Sequence, residues 1–278
     1  MGADKLIIFL TKRCTRDCAF CVDKQNVKYY KDERYWTGFM EDDFYFRALD
    51  FAVGKGIRRI QFNGGEPTLH PGLLAYAKAA KAKGFGTEIV TNYDLPDVVA
   101  SLDGIVDEIF VSYYGQATLP RQCDFSSKLT LRVVLTRSVF PTLESLADFL
   151  RSNGGRFSGF KITTLIENND FSRAEQVDYL ELLQEISPMY EAENGKRYHD
   201  FMGCRIKRLD LENRKLDVSK TSFKVHVDGV ISRYSEEDHY TLGDMDQSPD
   251  FVKELRATRD TILRQKIIEA HEILDDCE

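Results

Sequence analysis

Three cysteines lie close together near the start of the chain. Cys14, Cys18 and Cys21 are spaced Cys-x3-Cys-x2-Cys and follow an apolar run over residues 6–10. Three thiols this close cannot pair off as disulfides, and thiolate sulfur is a preferred ligand of iron–sulfur clusters and of zinc. Three ligands leave one iron of a four-iron cluster without a protein ligand, and that iron is open to a cofactor or substrate. From this spacing alone, a zinc knuckle with a distant fourth ligand is the alternative.

A glycine-rich turn supplies a second group of residues that suit ligand binding. Gly64, Gly65, Glu66 and Pro67 follow the predicted strand over residues 58–63. Two glycines allow the backbone to approach a ligand closely, and their carbonyl groups can accept hydrogen bonds from an ammonium group. Glu66 adds a carboxylate. Taken alone, the same turn also suits an ordinary exit from a strand.

Alternating strands and helices must position these two groups. The hydrophobic pattern predicts strands over residues 5–11, 58–63, 86–92, 107–114, 128–137 and 159–165, and helices over residues 40–55, 71–84, 95–102, 142–153 and 172–186. Such alternation is typical of parallel βα units and predicts the α/β class. In these folds chemistry gathers at the C-terminal ends of the strands, where both motifs lie.

The pattern changes after Pro188. Residues 223–234 predict a β-hairpin that turns at Asp228-Gly229, and residues 248–274 predict a long helix. We therefore expect a core over residues 1–187 and a smaller region over residues 188–278. The polar stretch over residues 22–38 is predicted to cover the site, and its aromatic residues are candidate substrate contacts: Tyr29, Tyr30, Tyr35 and Trp36.

Composition excludes several functional classes. The chain has 278 residues, 42% of them hydrophobic, and a net charge of −7, which disfavours general nucleic-acid binding. The cysteines indicate a reducing compartment rather than a disulfide framework. Neither a signal peptide nor an apolar run of about 20 residues is evident. We expect a cytoplasmic protein without a membrane partner, and low oxygen for an exposed cluster.

The two motifs together resemble the signature motifs of the radical S-adenosylmethionine (SAM) enzymes. The cysteine triplet and the Gly-Gly-Glu turn occur in the family's order, on successive βα units. The resemblance implies a partial (β/α)6 barrel, similar to a TIM barrel, that holds a [4Fe–4S] cluster and SAM. It assigns Cys14, Cys18 and Cys21 to three irons, and the residues Gly64, Gly65 and Glu66 to the amino group of SAM.

Further positions follow from the same resemblance. Phe20 matches an aromatic position beside the adenine of SAM, and Leu165 matches a position that covers it. Arg132 is a candidate partner of the methionine carboxylate. Thr91, Asn92 and Ser112 end strands where relatives contact the ribose or the carboxylate. Packing is the alternative role for each of these residues, and a surface ion pair is the alternative for Arg132.

The resemblance also implies the chemistry. An external one-electron donor, such as flavodoxin or ferredoxin, reduces the cluster. SAM is then cleaved to methionine and a 5′-deoxyadenosyl radical, which abstracts hydrogen from the substrate. Cys123, after the fourth predicted strand, is a candidate hydrogen-atom donor to a substrate radical. A non-catalytic Fe–S or zinc redox sensor remains as a remote alternative.

The C-terminal region resembles the SPASM and twitch auxiliary-cluster domains. Their hairpin cysteine is replaced here by Arg233 and Tyr234, and only Cys123, Cys204 and Cys277 remain after the triplet. We therefore expect one cluster and a redox-neutral rearrangement, epimerisation or addition. Because no peptide-recognition domain is evident before Lys5, a small polar metabolite (a sugar, nucleotide or amino-acid derivative) is the expected substrate, and a ribosomal peptide is the alternative.

Overall fold

The chain forms two compact units. The computed structural model describes residues 4–21, 38–116, 119–165, 169–191, 197–201, 204–210, 222–227 and 231–233. Unit 1 comprises residues 1–14, 26–86 and 216–278, and unit 2 comprises residues 15–25 and 87–215. Each unit is a set of strands with helices packed against it.

The described elements follow the predicted alternation. In unit 1 they are β1 (Lys5–Phe9), α1 (Asp42–Gly54), β2 (Arg59–Asn63), α2 (Leu73–Ala82), β10 (Ser222–Val225) and β11 (Ile231–Arg233). In unit 2, apart from the first residue of β3, they are β3 (Gly86–Thr91), α3 (Pro96–Ser101), β4 (Glu108–Tyr113), β5 (Lys128–Leu135), α4 (Leu143–Asn153), β6 (Gly159–Thr164), α5 (Asp170–Ala174), α6 (Leu180–Glu185), β7 (Met189–Glu191), β8 (Arg197–Phe201) and β9 (Cys204–Asp210).

The sheet of unit 1 has the strand order β11-β10-β1-β2. β1 is parallel to both β10 and β2, and β10 pairs with β11 in the antiparallel sense. One face packs on the helices: Phe223 makes an edge contact with Phe51 of α1 at 5.1 Å. Between α1 and α2, Tyr45 stacks on Tyr76 with ring centroids 3.9 Å apart. Burial of these rings holds both helices to the sheet.

The sheet of unit 2 has the strand order β3-β4-β5-β6-β9-β8-β7. The strands from β3 to β6 are parallel, and β9 is parallel to β6. β7, β8 and β9 pair in the antiparallel sense. The central strand β5 buries Leu129, Leu131 and Val133 completely. On the same face, Tyr113 of β4 stacks on Phe149 of α4 at 4.4 Å.

The predicted class is confirmed. All six predicted strands are present, they are parallel within each unit, and the described strands of neither unit close into a barrel. The C-terminal hairpin is present as β10 and β11. The turn at residues 228–229, the helix over residues 248–274 and the stretch over residues 22–37 lie outside the described residues. The domain boundary after residue 187 stays a prediction.

Two predictions were wrong. The single helix over residues 172–186 is two short helices, α5 and α6. A reciprocal pair of hydrogen bonds between Asn169 and Ser172 caps α5. The pattern also missed β7, β8 and β9, which extend the sheet of unit 2. Within the described chain, no helix is long and apolar enough to cross a bilayer.

Candidate functional site

In unit 1 the glycine turn packs directly on the backbone that leads into the cysteine loop. Gly65 N donates to Thr11 O at 2.7 Å, and Glu66 N donates to Arg13 O at 2.8 Å. A Cβ atom on Gly65 would lie 2.3 Å from Arg13 O and 2.5 Å from Lys12 O. Because those atoms belong to the backbone, no side chain can be accommodated there. Glycine at this position is what allows the two motifs to meet.

The carboxylate of Glu66 is held in a fixed orientation. The side chain is 1% exposed, and Oε1 accepts hydrogen bonds from Thr68 N at 3.1 Å and from Thr68 Oγ1 at 2.6 Å. These bonds cap the short 3₁₀ helix Pro67–Leu69. Glu66 thus lies at the end of β2 as predicted, and Thr68 orients it. The predicted contact of Glu66 with the amino group of SAM stays a prediction.

In unit 2 an ion pair anchors the cysteine loop to the loop after β3. Arg16 donates two hydrogen bonds to the carboxylate of Asp94, one of them from Nε to Oδ2 at 2.8 Å. Its guanidinium lies 5.0 Å from the ring centroid of Tyr114. The hydrogen bond to Asp94 raises the pKa of Arg16, and the bond from Arg16 lowers the pKa of Asp94. Both groups therefore stay charged at neutral pH.

Asn92 belongs to the same network. Its Nδ2 donates to Thr15 Oγ1 at 2.8 Å, and its Oδ1 accepts from Asp94 N at 2.9 Å. Thr15 Oγ1 in turn donates to Asp94 Oδ2 at 2.7 Å. Thr91 accepts from the backbone N–H of Tyr93 at 3.0 Å. Asn92 therefore helps to hold the cysteine loop, and Thr91 holds the loop after β3. Both residues were predicted to contact SAM.

Phe20 lies in an aromatic cluster of unit 2. Its ring meets Tyr114 edge-on at 5.5 Å and stacks on Phe171 at 6.4 Å. The adjacent Ala19 carbonyl accepts from Asn169 Nδ2 at 2.8 Å. The chain directly before this ring is therefore fixed, and the predicted contact of Phe20 with adenine remains a prediction.

Three other predicted residues lie on or directly after strands of unit 2. Ser112 of β4 and Arg132 of β5 occupy adjacent register positions. Both are on the sheet face opposite the one that carries Tyr113 and packs on α4. Leu165, just after β6, is 3% exposed and its carbonyl accepts from Gln176 Nε2 at 3.1 Å. Ser112 and Arg132 therefore share one sheet face, and the predicted contacts of all three residues with SAM stay predictions.

Cys123 is not brought to the C-terminal ends of the strands. It lies in the 3₁₀ turn Gln122–Asp124, whose Gln122 side chain bonds the Ser127 carbonyl at 2.9 Å and the Leu129 N–H at 2.7 Å. These bonds fix the turn at the start of β5. Since a strand rises about 3.3 Å per residue, the opposite end of β5 is roughly 23 Å away. This placement gives no support to the predicted hydrogen-donor role.

The cysteines of the triplet fit a cluster by their chemistry. Cys14 is exposed, Cys18 and Cys21 are half-buried, and none of the described cysteines forms a disulfide. The Cys21 N–H donates to the Cys18 carbonyl at 3.1 Å, which closes a turn between these two thiols. The described residues contain no group of three or more His, Cys, Asp or Glu side chains placed to hold a metal ion. Assignment of the cluster therefore rests on residue type and spacing.

Sequence analysis missed two residues of the site, Asp94 and Tyr114. Both lie far along the chain from the cysteine loop, and both contact Arg16. One signal was present in the sequence. Arg16 is a cation between two cysteines and is expected to pair with a carboxylate, and Asp94 is an acidic residue that follows a predicted strand. The pattern gives no means of choosing Asp94 over the other carboxylates.

Comparison with known proteins gives one family. Residues 8–115 match the family model described as the Radical SAM superfamily. A protein named S-adenosylmethionine-dependent nucleotide dehydratase, from a Thermoplasmatales archaeon, is 32% identical over 38% of this chain and 36% of its own length. A GTP 3′,8-cyclase from Streptomyces coelicolor is 33% identical over 29% of this chain and 23% of its own length. The chain thus spans about a third or less of these relatives.

Among solved structures, Streptococcus suis SuiB bound to S-adenosylmethionine is similar with a TM-score of 0.49 and 19% identity. The match covers 66% of this chain and 46% of that one.

Proposed function

We propose, from the match of residues 8–115 to the model of the Radical SAM superfamily, that this chain is an enzyme that cleaves SAM reductively and acts on a small polar metabolite. When bound, the cluster and SAM supply methionine and a 5′-deoxyadenosyl radical, which abstracts hydrogen from the substrate. An external one-electron donor such as flavodoxin or ferredoxin provides the electron. The outcome is a redox-neutral rearrangement, epimerisation or addition.

The contact between Gly65 and the carbonyl groups of Lys12 and Arg13 carries this proposal. A metal-binding redox sensor needs its cysteines but has no use for a glycine turn fitted against the loop that bears them. Here the turn is seated so closely that a single Cβ atom would lie 2.3 Å from a carbonyl oxygen. Such a fit is expected where one motif must hold SAM beside a cluster bound by the other.

The roles of the chain's own residues follow. Cys14, Cys18 and Cys21 are the cluster ligands, and their thiols must lose protons to bind iron. The backbone carbonyls of the glycine turn and the oriented carboxylate of Glu66 suit an ammonium group such as the one in SAM. Arg16, through Asp94, keeps the loop between the first two cysteines in place.

The proposed substrate class is supported by the relatives. Their names describe proteins that act on nucleotides, and nucleotides are among the small polar metabolites expected from the sequence. A nucleotide or a similar phosphorylated metabolite is therefore the first class to test as a substrate.

The experiment is anaerobic reconstitution with iron and sulfide, followed by reduction with dithionite in the presence of SAM. We expect 5′-deoxyadenosine and methionine in equal amounts. Cys14→Ala should abolish both products. Cys123→Ala is the matched control, because it removes an exposed cysteine that lies at the start of β5, away from the C-terminal ends of the strands. This variant should still form both products. Absence of 5′-deoxyadenosine from wild-type protein that has bound iron and sulfide would overturn the proposal.

A further inference from the structure

Three segments of unit 1 meet at Thr11. This residue is 0% exposed and lies three residues before Cys14. Its hydroxyl donates to the Gly38 carbonyl at 2.9 Å and accepts from the Arg13 N–H at 3.1 Å. Its own carbonyl accepts from the Gly65 N–H at 2.7 Å. Thr11 is therefore bonded to the chain that leads to the first cysteine, to the segment that starts at Gly38 and to the glycine turn.

The local sequence explains how the hydroxyl of Thr11 forms two bonds. A threonine oxygen can accept from the backbone N–H two residues ahead, which makes a turn where a strand ends, and the bond from Arg13 is of this kind. A single antiparallel bridge between Thr11 and Phe39 brings the Gly38 carbonyl to the same hydroxyl. The hydroxyl hydrogen goes to Gly38, so a lone pair is left for Arg13.

The bond from Arg13 also fixes the carbonyl group of Lys12. A peptide group is planar, so holding the Arg13 N–H sets the direction of the Lys12 carbonyl in the same peptide. A Cβ atom on Gly65 would lie 2.5 Å from this carbonyl oxygen, so the oxygen packs directly on the glycine backbone. Rotation of the peptide would displace it from the turn. The orientation of one peptide group thus links the Thr11 hydroxyl to the glycine turn.

We propose that Thr11 is a positioning residue that aligns Cys14, the first cluster ligand, with the glycine turn. This inference rests on the proposed function, because the cluster and SAM are the groups that the two motifs would hold. Thr11 acts through the backbone of Lys12, Arg13 and Gly65. Without the hydroxyl, the Arg13 N–H loses its acceptor, and the peptide that carries it is free to turn.

Hydrogen–deuterium exchange of the reconstituted full-length protein, resolved to single residues by mass spectrometry, tests this link. Thr11→Val keeps nearly the same shape and removes the hydroxyl, whereas Thr11→Ser keeps the hydroxyl. In Thr11→Val we expect faster exchange at Arg13, whose acceptor is lost, and at Gly65 and Glu66, which donate to the carbonyls of Thr11 and Arg13. Loss of one neutral hydrogen bond corresponds to about a 5-fold increase. Thr11→Ser should show less than half of it.

Thr87→Val is the matched control. Thr87 is also 0% exposed, and its hydroxyl also bonds a backbone carbonyl, that of Ile105 at 3.3 Å. It lies near the start of β3 in unit 2 rather than beside the cysteine loop. The change removes the same group from an equally buried site, so we expect exchange at Gly65 and Glu66 to match wild type.

The N–H of Ile57 is the internal reference for loosening of unit 1 as a whole. It donates to the Ala52 carbonyl at 2.9 Å, just after α1. We expect Thr11→Val to leave its exchange unchanged. Exchange at Glu66 that stays at the wild-type rate in Thr11→Val overturns the proposal. An increase that is equal in Thr87→Val, or equal at Ile57, overturns it as well.

The dependence of 5′-deoxyadenosine formation on SAM is the second readout. Misalignment of the two motifs should raise the half-saturating SAM concentration in Thr11→Val by about 5-fold, with a smaller effect on the maximal rate. A lower maximal rate with an unchanged SAM requirement would mean that Thr11 only stabilises the loop, and the proposal would be wrong.

The two proposals fail in different ways. If wild type forms 5′-deoxyadenosine while exchange at Glu66 is independent of Thr11, the positioning role is wrong and the proposed function stands. If wild type forms none while exchange at Glu66 depends on Thr11, the alignment of the loop with the turn stands and the proposed function is wrong.

Discussion

The guanidinium of Arg16 and the carboxylate of Asp94 are joined by two hydrogen bonds, 78 residues apart in the chain. This pair ties the loop between the first two cysteines to the end of β3. Thr15 and Asn92 complete the network. Partners that orient ligand-bearing residues matter to a metal site nearly as much as the ligands do.

Asp94→Asn should weaken cluster assembly while the protein stays folded. The amide cannot accept both hydrogen bonds from Arg16 with the strength of a carboxylate, so the loop becomes less ordered. Loss of a partner of this kind typically lowers metal affinity by about 10-fold or more. Iron bound after reconstitution at limiting iron measures this. Asp97→Asn, in the first turn of α3, is the control, and equal iron uptake by both variants would contradict the account.

The same pair predicts a pH dependence of stability. The pKa of Asp94 is lowered below its ordinary value of 3.8 by the bond from Arg16. A carboxyl whose folded pKa is depressed stabilises the fold above its unfolded pKa, and that contribution is lost as pH falls through the folded value. The stability difference between wild type and Asp94→Asn should be constant from pH 8 to about 5 and shrink below about pH 4. A difference that grows on acidification is the opposite of what we expect.

Tyr93 follows Asn92 with a backbone φ of 64°. A residue with a Cβ atom pays about 1–2 kcal/mol in this conformation, whereas glycine does not. Tyr93→Gly should therefore be more stable to urea than Tyr93→Ala, by about 1 kcal/mol. At an ordinary φ the order is reversed, because glycine costs about 0.5–1 kcal/mol more than alanine. The reversed order at this position would show that the strain is absent.

Each chain should carry one cluster. Outside the triplet, Cys204 is buried at the start of β9 and Cys123 is exposed in the turn before β5. Cys277 lies beyond the described residues. Iron and sulfide assays should give about four of each per chain, as one [4Fe–4S] cluster requires, in wild type and in Cys204→Ala alike. About eight of each, halved in Cys204→Ala, would mean a second cluster.

Features that depend on neighbouring residues were predicted well from the sequence. The alternation of strands and helices is a local hydrophobic pattern, and the structure confirms it within each unit. The cysteine spacing and the glycine turn are also local. They were assigned to successive strand ends, and the contact of Gly65 with Arg13 agrees with that assignment.

Features that depend on distant pairing were not predicted. β10 runs parallel to β1 although more than 200 residues separate them, and no local pattern selects that neighbour, so this pairing was not foreseen. Cys123 was assumed to stay near the end of β4 because it follows that strand. The connection instead runs to the start of β5, where Gln122 fixes it.

The central claim is that the cysteine loop holds a [4Fe–4S] cluster with one iron open to SAM. Electron paramagnetic resonance of the dithionite-reduced, reconstituted protein tests it most directly, because a reduced cluster has an unpaired electron whose signal depends on what binds the iron. We predict a cluster signal that changes when SAM is added and that is absent in Cys14→Ala. A signal that SAM leaves unchanged, or one that persists in Cys14→Ala, would contradict the claim.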